Sequence, residues 1–201
     1  MEVLIVSRTR MKNGVCCGGL NLKSGEFIRL HNERGGKLSV DAPFQIGQVY
    51  ELDYKTAWNV RPRPHVEDKE VQPSYCLRKQ LPVSELIKTI DRLVDVPKGD
   101  FDVIFNGMLN HSSYAAYISP NAVPNFSVCF WRPDAPLYKS EFMGRVRYRF
   151  NGNNISYVGF QEPVNIIPAG TLLRMSLANW WSPDDITEKR CYLQLSGWYG
   201  L

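Results

Sequence analysis

The chain has 201 residues, enough for one large domain or two compact ones of about 100 residues each. A hydrophobic share of 44% provides a sizeable core, while no apolar run approaches the roughly 18 residues of a membrane span. The net charge of +4 does not by itself establish a polyanion partner. Cys16, Cys17, Cys76, Cys129 and Cys191 form neither a CxxC pair nor an even framework, and they read as reduced thiols in a cytosolic protein.

Thirteen Pro and fifteen Gly are spread as single breakers, a pattern of many short strands joined by turns. Glu2 to Thr9 alternates loosely and reads as a first strand, not as a signal peptide. A turn at Lys12-Asn13-Gly14 leads into a second strand over Val15 to Leu22, and Lys23-Ser24-Gly25 turns the chain into Glu26–Leu30. Val49 to Tyr54 alternates cleanly, and His65 to Val71 predicts a short strand after Pro62 and Pro64. Residues 84–94 predict a helix with Ser84 as its N-cap and Leu86, Ile87, Ile90, Leu93 and Val94 as one apolar stripe. A second short helix is expected near 112–117. Strands follow at Phe126–Trp131, Arg145–Phe150, Ile155–Phe160, Leu172–Trp180 and Arg190–Trp198. Asn151-Gly152-Asn153-Asn154 is the strongest hairpin signal in the chain.

Each half carries a Gly-turned hairpin, a Gly-led apolar strand, Trp residues and a last strand: Gly25, Gly47 and Trp58 in one, Gly152, Gly170 and Trp180-Trp181 in the other. The expectation is a mostly β protein of two small antiparallel barrels in tandem with a short helical insert. The first barrel spans 1–81, the helical connector 82–124 and the second barrel 125–201.

The opening MEVLIVSRTRMKNGVCCGG, the central FQIGQVYELDY with RPRPHVEDKEV, and the closing RCYLQLSGWY resemble the dual OB-containing domain proteins of bacteria. The resemblance covers essentially the whole chain. It implies two OB-like barrels in tandem, a setting in prokaryotic conflict or defence systems, and nucleic-acid binding as the role suggested by that fold.

Charge is unevenly distributed. Basic residues gather in 1–34, in 55–65 and in 138–150, whereas acids collect in the helical middle and at Asp184, Asp185 and Glu188, so a polarised molecule is expected. In a strand, Arg145, Arg147 and Arg149 project from one face about 6.6–7 Å apart, suited to successive phosphates. A solvated outer face of a hairpin would give the same pattern. Trp58 beside Arg61 and Arg63 offers a stacking platform with phosphate contacts, or else a loop whose Trp caps a barrel end. Arg8 and Arg10, with Lys12, would share a face if the first strand extends that far; Arg29 and His31 would do likewise. Of Trp180-Trp181 and Trp198-Tyr199, one member of each pair belongs to the core.

No catalytic set emerges. His65-Val66-Glu67-Asp68 lacks the further ligands of a metal site, Cys16-Cys17 reads as core, and no phosphate-loop, GxSxG or HExxH motif occurs. Neither metal nor cofactor is expected. The sequence therefore predicts a cytoplasmic, non-enzymatic protein that binds nucleic acid, DNA or RNA, and has no membrane segment. The alternative is a protein-interaction adaptor that recruits a partner enzyme encoded nearby.

Overall fold

The computed structural model describes residues 1–57, 62–112, 115–184 and 186–201 and falls into two compact units. One comprises Met1–Pro62 and Val66–Asp95 with Gly200; the other comprises Arg63–His65 and Val96–Tyr199 with Leu201.

In the first unit, β1 (Glu2–Met11), β2 (Gly14–Asn21), β3 (Phe27–His31), β4 (Gln48–Thr56) and β5 (Asp68–Gln80) close into a barrel of order β1-β2-β3-β5-β4. Every pairing is antiparallel except that of β3 with β5. A closed five-stranded barrel of this order is the expected OB-like architecture. Alternation sends Val3, Ile5, Val15, Cys17, Ile28, Leu30, Tyr50, Leu52 and Val71 inward, where Leu38 and Phe44 of the β3–β4 loop join them. Gly19 is required by that packing: a Cβ there would stand 2.5 Å from Val3 Cγ1 and 3.0 Å from Ile28 Cγ1.

The helix α1 (Val83–Leu93) buries Leu86 and Ile90 from its apolar stripe. Its N-cap is Pro82, with no side-chain capping bond, so Ser84 lies inside the helix and not at its cap. Proline's ring already holds φ at −59°, and its carbonyl accepts the Leu86 N–H. The strand foreseen at 65–71 begins instead at Asp68 and continues to Gln80. Beyond Gln72 that strand is exposed on both faces, so no apolar alternation marks it.

The second unit contains β6 (Lys98–Gly99), β7 (Asn110–His111), β8 (Ala116–Ile118), β9 (Val128–Pro133), β10 (Leu137–Phe142), β11 (Arg145–Phe150), β12 (Asn153–Tyr157), β13 (Ile166–Ile167), β14 (Leu172–Leu177) and β15 (Cys191–Tyr199). They form one sheet of order β13-β10-β11-β12-β15-β14-β9-β6, with β8 joined to β15 and β7 to β8. β9 and β10 are consecutive segments of one run broken at 134–136. Read as a single strand, they give the order of the first barrel again, including the parallel contact, here β12 with β15. Trp131, Tyr148, Phe150, Phe101, Ile155, Leu193 and Leu195 fill its core.

Residues 116–118 are a strand, not part of a helix: Ala116 and Ile118 are buried on one face while Tyr117 lies on the other. Residues 113 and 114 lie outside the described residues. The hairpin at Asn151-Gly152 forms with φ of 43° and 83°, the left-handed pair that an Asn-Gly turn supplies. A second turn of the same kind, Met143-Gly144 with φ of 50° and 70°, joins β10 to β11.

Candidate nucleic-acid interface

The sequence RVRYRF places Tyr148 and Phe150 in the core, and strand alternation then turns Arg145, Arg147 and Arg149 outward. Arg145 and Arg149 are exposed and Arg147 is half-buried. Tyr148 anchors the strand: its hydroxyl donates to the Val164 carbonyl at 2.8 Å, and burial pushes its phenol up to about 12. Among the described residues, no carboxylate lies within 4.0 Å of any of the three guanidinium groups. Three guanidinium groups without a carboxylate partner among the described residues thus share one strand face, and their planar forks match the geometry of phosphate oxygens.

Register shows what surrounds the row. On one side Tyr138, Ser140 and Phe142 of β10 stand opposite Arg149, Arg147 and Arg145; on the other, Asn154 and Ser156 of β12 stand opposite Arg149 and Arg147. Tyr138 and Phe142 are 53% and 52% exposed, too much for core residues and well placed for stacking. The Arg147 guanidinium lies 4.7 Å from the Phe142 ring centroid, so cation and ring are in contact on this face. The sequence reading missed both aromatics because 132–144 was not assigned a strand. Leu137, Lys139 and Glu141 alternating with Tyr138, Ser140 and Phe142 carried the signal, but Met at a left-handed turn position hid the hairpin.

A second aromatic group comprises Trp181 of the β14–β15 loop, Tyr192 of β15 and Tyr117 of β8. Trp181 pairs with Arg190 through reciprocal backbone hydrogen bonds of 3.1 and 2.8 Å. Its ring, 55% exposed, lies 6.0 Å from Tyr192, which lies 6.0 Å from Tyr117. Arg190 stacks on Tyr117 at 4.1 Å. Trp198 and Tyr199 are both buried.

The other basic candidates have different surroundings. Arg8 is half-buried and donates to the carbonyls of Val40, Ala42 (3.2 Å) and Phe44 (3.4 Å), clamping the β3–β4 loop. Arg10 is exposed, opposite Val15 at the end of β1. Arg63 is exposed, and its carbonyl accepts the indole N–H of Trp180 at 2.7 Å. Trp58 and Arg61 lie outside the described residues. Arg29 and His31 do share a face, but it is neutralised: Arg29 approaches Glu67 at 3.6 Å and Asp68 at 3.3 Å, and His31 Nε2 lies 3.1 Å from Asp68. Lys55 pairs with Glu70 at 3.2 Å and Lys69 with Glu26 at 2.8 Å.

Three of the thiols and His65 are buried. Burial pushes the Cys17, Cys129 and Cys191 thiols up to about 12, which suppresses the thiolate. Cys16 and Cys17 lie on opposite faces of β2, with Cys17 in the core. His65 is buried, with Nε2 3.1 Å from the Ala178 carbonyl. Among the described residues, no three His, Cys, Asp or Glu side chains converge as metal ligands, and no helix is long and apolar enough to cross a membrane.

A family model described as a dual OB-containing domain matches residues 1–198. No curated protein matches the chain. Among solved structures the chain is similar to a murine DNA-binding protein bound with double-stranded DNA, at 11% identity over 97% of this chain and 91% of that one, with a TM-score of 0.30. It is also similar to the Ifi202 HINa domain in complex with 20-bp double-stranded DNA, at 12% identity over 88% and 83%, TM-score 0.28. A third is the p204 HINb domain, at 14% identity over 97% and 95%, TM-score 0.30. Similarity this slight does not transfer a ligand.

Proposed function

The chain belongs to the dual OB-containing domain family, and on that premise we propose that it binds nucleic acid through the outer face of β10, β11 and β12. The observation that carries this reading is the row of Arg145, Arg147 and Arg149, without carboxylate partners among the described residues and bordered by exposed Tyr138 and Phe142. Guanidinium forks pair with phosphate oxygens, and the adjoining rings accept bases. Such a site binds without chemistry, consistent with a non-enzymatic protein. Arg63, with Trp58 and Arg61 on the same β4–β5 connection, supplies a secondary contact, because OB barrels use that loop for ligands. The wider setting, a cytoplasmic bacterial protein in a conflict or defence system, rests on the family resemblance alone.

Fluorescence anisotropy with labelled single-stranded DNA, single-stranded RNA and duplex, each at about 50 and 200 mM salt, tests the reading. Replacing the three arginines by glutamine should weaken binding and flatten the logarithmic salt slope by about 2, at roughly 0.7 per lost phosphate contact on a single strand. Equal affinity and slope in that variant would remove the row from the site.

A second reading, an adaptor for a partner protein, is favoured by β5. Past Val71, among the described residues, this strand pairs only with β4, and Tyr75 and Leu77 are 42% and 48% exposed along it. An open strand edge accepts an added strand. Absence of nucleic-acid binding, together with one stoichiometric partner retained after nuclease treatment and lost in Leu77→Pro, would favour it.

A further inference from the structure

We propose that the ligand is a single strand, and that Tyr117, Tyr192 and Trp181 form a second base-stacking platform on the face that carries the arginine row. This rests on the nucleic-acid reading above and names the class of ligand. Pairing register places the two features on one surface. Arg149 stands opposite Asn154, and Asn154 bridges to Ala115, two residues before Tyr117. Tyr117 in turn stands opposite Tyr192. Buried Ala116, Ile118, Cys191 and Leu193 occupy the opposite face of those strands, so Tyr117 and Tyr192 turn outward with Arg149 and Asn154. Along the paired run from Tyr138 on β10 through β11, β12 and the β8 segment to Tyr192 on β15 there are four strand spacings, roughly 19 Å at ~4.8 Å each. That span holds about four extended nucleotides, the low end of the range for one OB barrel.

The chemistry selects a single strand. A ring can accept a base only if that base has left its own stack, and in a duplex both faces of every internal base are covered. Platforms at both ends of a cationic row are of little use to a duplex, whose outer surface offers phosphates and groove edges. Here Tyr138 and Phe142 lie at one end of the path and Trp181, Tyr192 and Tyr117 at the other, with arginines between them. Arg190, 4.1 Å from the Tyr117 ring centroid, adds a cation to the second platform. Among the described residues, the acid that approaches it is Glu188, at 3.9 Å.

Trp181 is the residue to change, because its ring is 55% exposed while its backbone pairing with Arg190 survives substitution. Anisotropy would be measured with ten-nucleotide thymidine and uridine strands, a blunt duplex, and a deoxyribose-phosphate strand without bases. Trp181→Ala should weaken binding of the single strands roughly 5- to 150-fold, the loss of one stacked base, with an unchanged salt slope. Trp181→Phe should restore most of the affinity. The base-free strand should bind wild type and Trp181→Ala equally. Equal affinity of wild type and Trp181→Ala for thymidine and uridine strands, while the triple arginine variant is weakened, would overturn the platform and leave the nucleic-acid reading intact. A duplex bound as tightly as the single strands would overturn the single-strand assignment. No binding to any probe would overturn both; relative affinity for the thymidine and uridine strands separates DNA from RNA.

Discussion

Arg8 offers a test of whether a basic residue singled out in the sequence holds the fold or holds a ligand. Its guanidinium reaches the carbonyls of Val40, Ala42 and Phe44, and Phe44 is itself part of the first barrel's core. Arg8→Met keeps the stem and removes the donors. The Val40 contact is exposed, so water replaces it at little cost; the other two are part-buried and worth about 1 kcal/mol or slightly more each. A loss of about 2–3 kcal/mol follows, which in a unit of under about 100 residues such as the first barrel lowers Tm by about 8–24 °C. Thermal unfolding followed by circular dichroism reads that shift, and anisotropy on the folded variant should show an unchanged salt slope. An unchanged Tm with a slope flattened by about 0.7 would mean that Arg8 contacts phosphate and that the clamp carries no stability.

The other predictions concern the cores and the thiols. Gly19→Ala should destabilise the first barrel by about 1–3 kcal/mol, since the new methyl would stand 2.5 Å from Val3 Cγ1 and 3.0 Å from Ile28 Cγ1 in the barrel core; denaturant midpoints measure it. Tyr148→Phe should cost about 1–2 kcal/mol by leaving the Val164 carbonyl without its donor, with far-ultraviolet dichroism unchanged at room temperature. The Cys17, Cys129 and Cys191 thiols, ordinarily near 9, are raised to about 12 in the folded chain. The folded state therefore keeps protons that the unfolded state releases, so their contribution is full below pH 9 and is lost as pH rises towards 12. Urea unfolding at pH 8, 9.5 and 10.5 should show falling stability, and a flat profile would contradict it. With a thiol reagent at pH 8, exposed Cys76 should react first and half-buried Cys16 more slowly, while the other three wait for unfolding.

Strand identity was legible wherever side-chain alternation and turn chemistry agreed. Asn151-Gly152 announced its hairpin because Asn and Gly accept the left-handed backbone that such a turn needs. The outward row of arginines followed from period two alone once Tyr148 and Phe150 were assigned to the core. β10 escaped because its turn is Met143-Gly144, and a methionine at φ of 50° is not a turn signal. The far half of β5 escaped because a strand exposed on both faces has no apolar rhythm. Residues 112–117 suggested a helix because so short a segment shows no clear period; pairing with β15 makes its end a strand.

Local sequence by itself determined the β character of the chain, several of its turns and the common face of Arg145, Arg147 and Arg149, because each depends on neighbours a few residues away. Tertiary structure alone decided which cations remain available. Arg8 is held by carbonyls from 32 to 36 residues away, and Arg29 and His31 meet Glu67 and Asp68 across the parallel β3–β5 pair. The arginines of β11 meet no such acid among the described residues. Pairing between distant strands likewise brought Tyr138, Tyr117 and Tyr192 to the same surface. A charge is read from one residue, but its neutralisation depends on what folding places within about 4 Å of it.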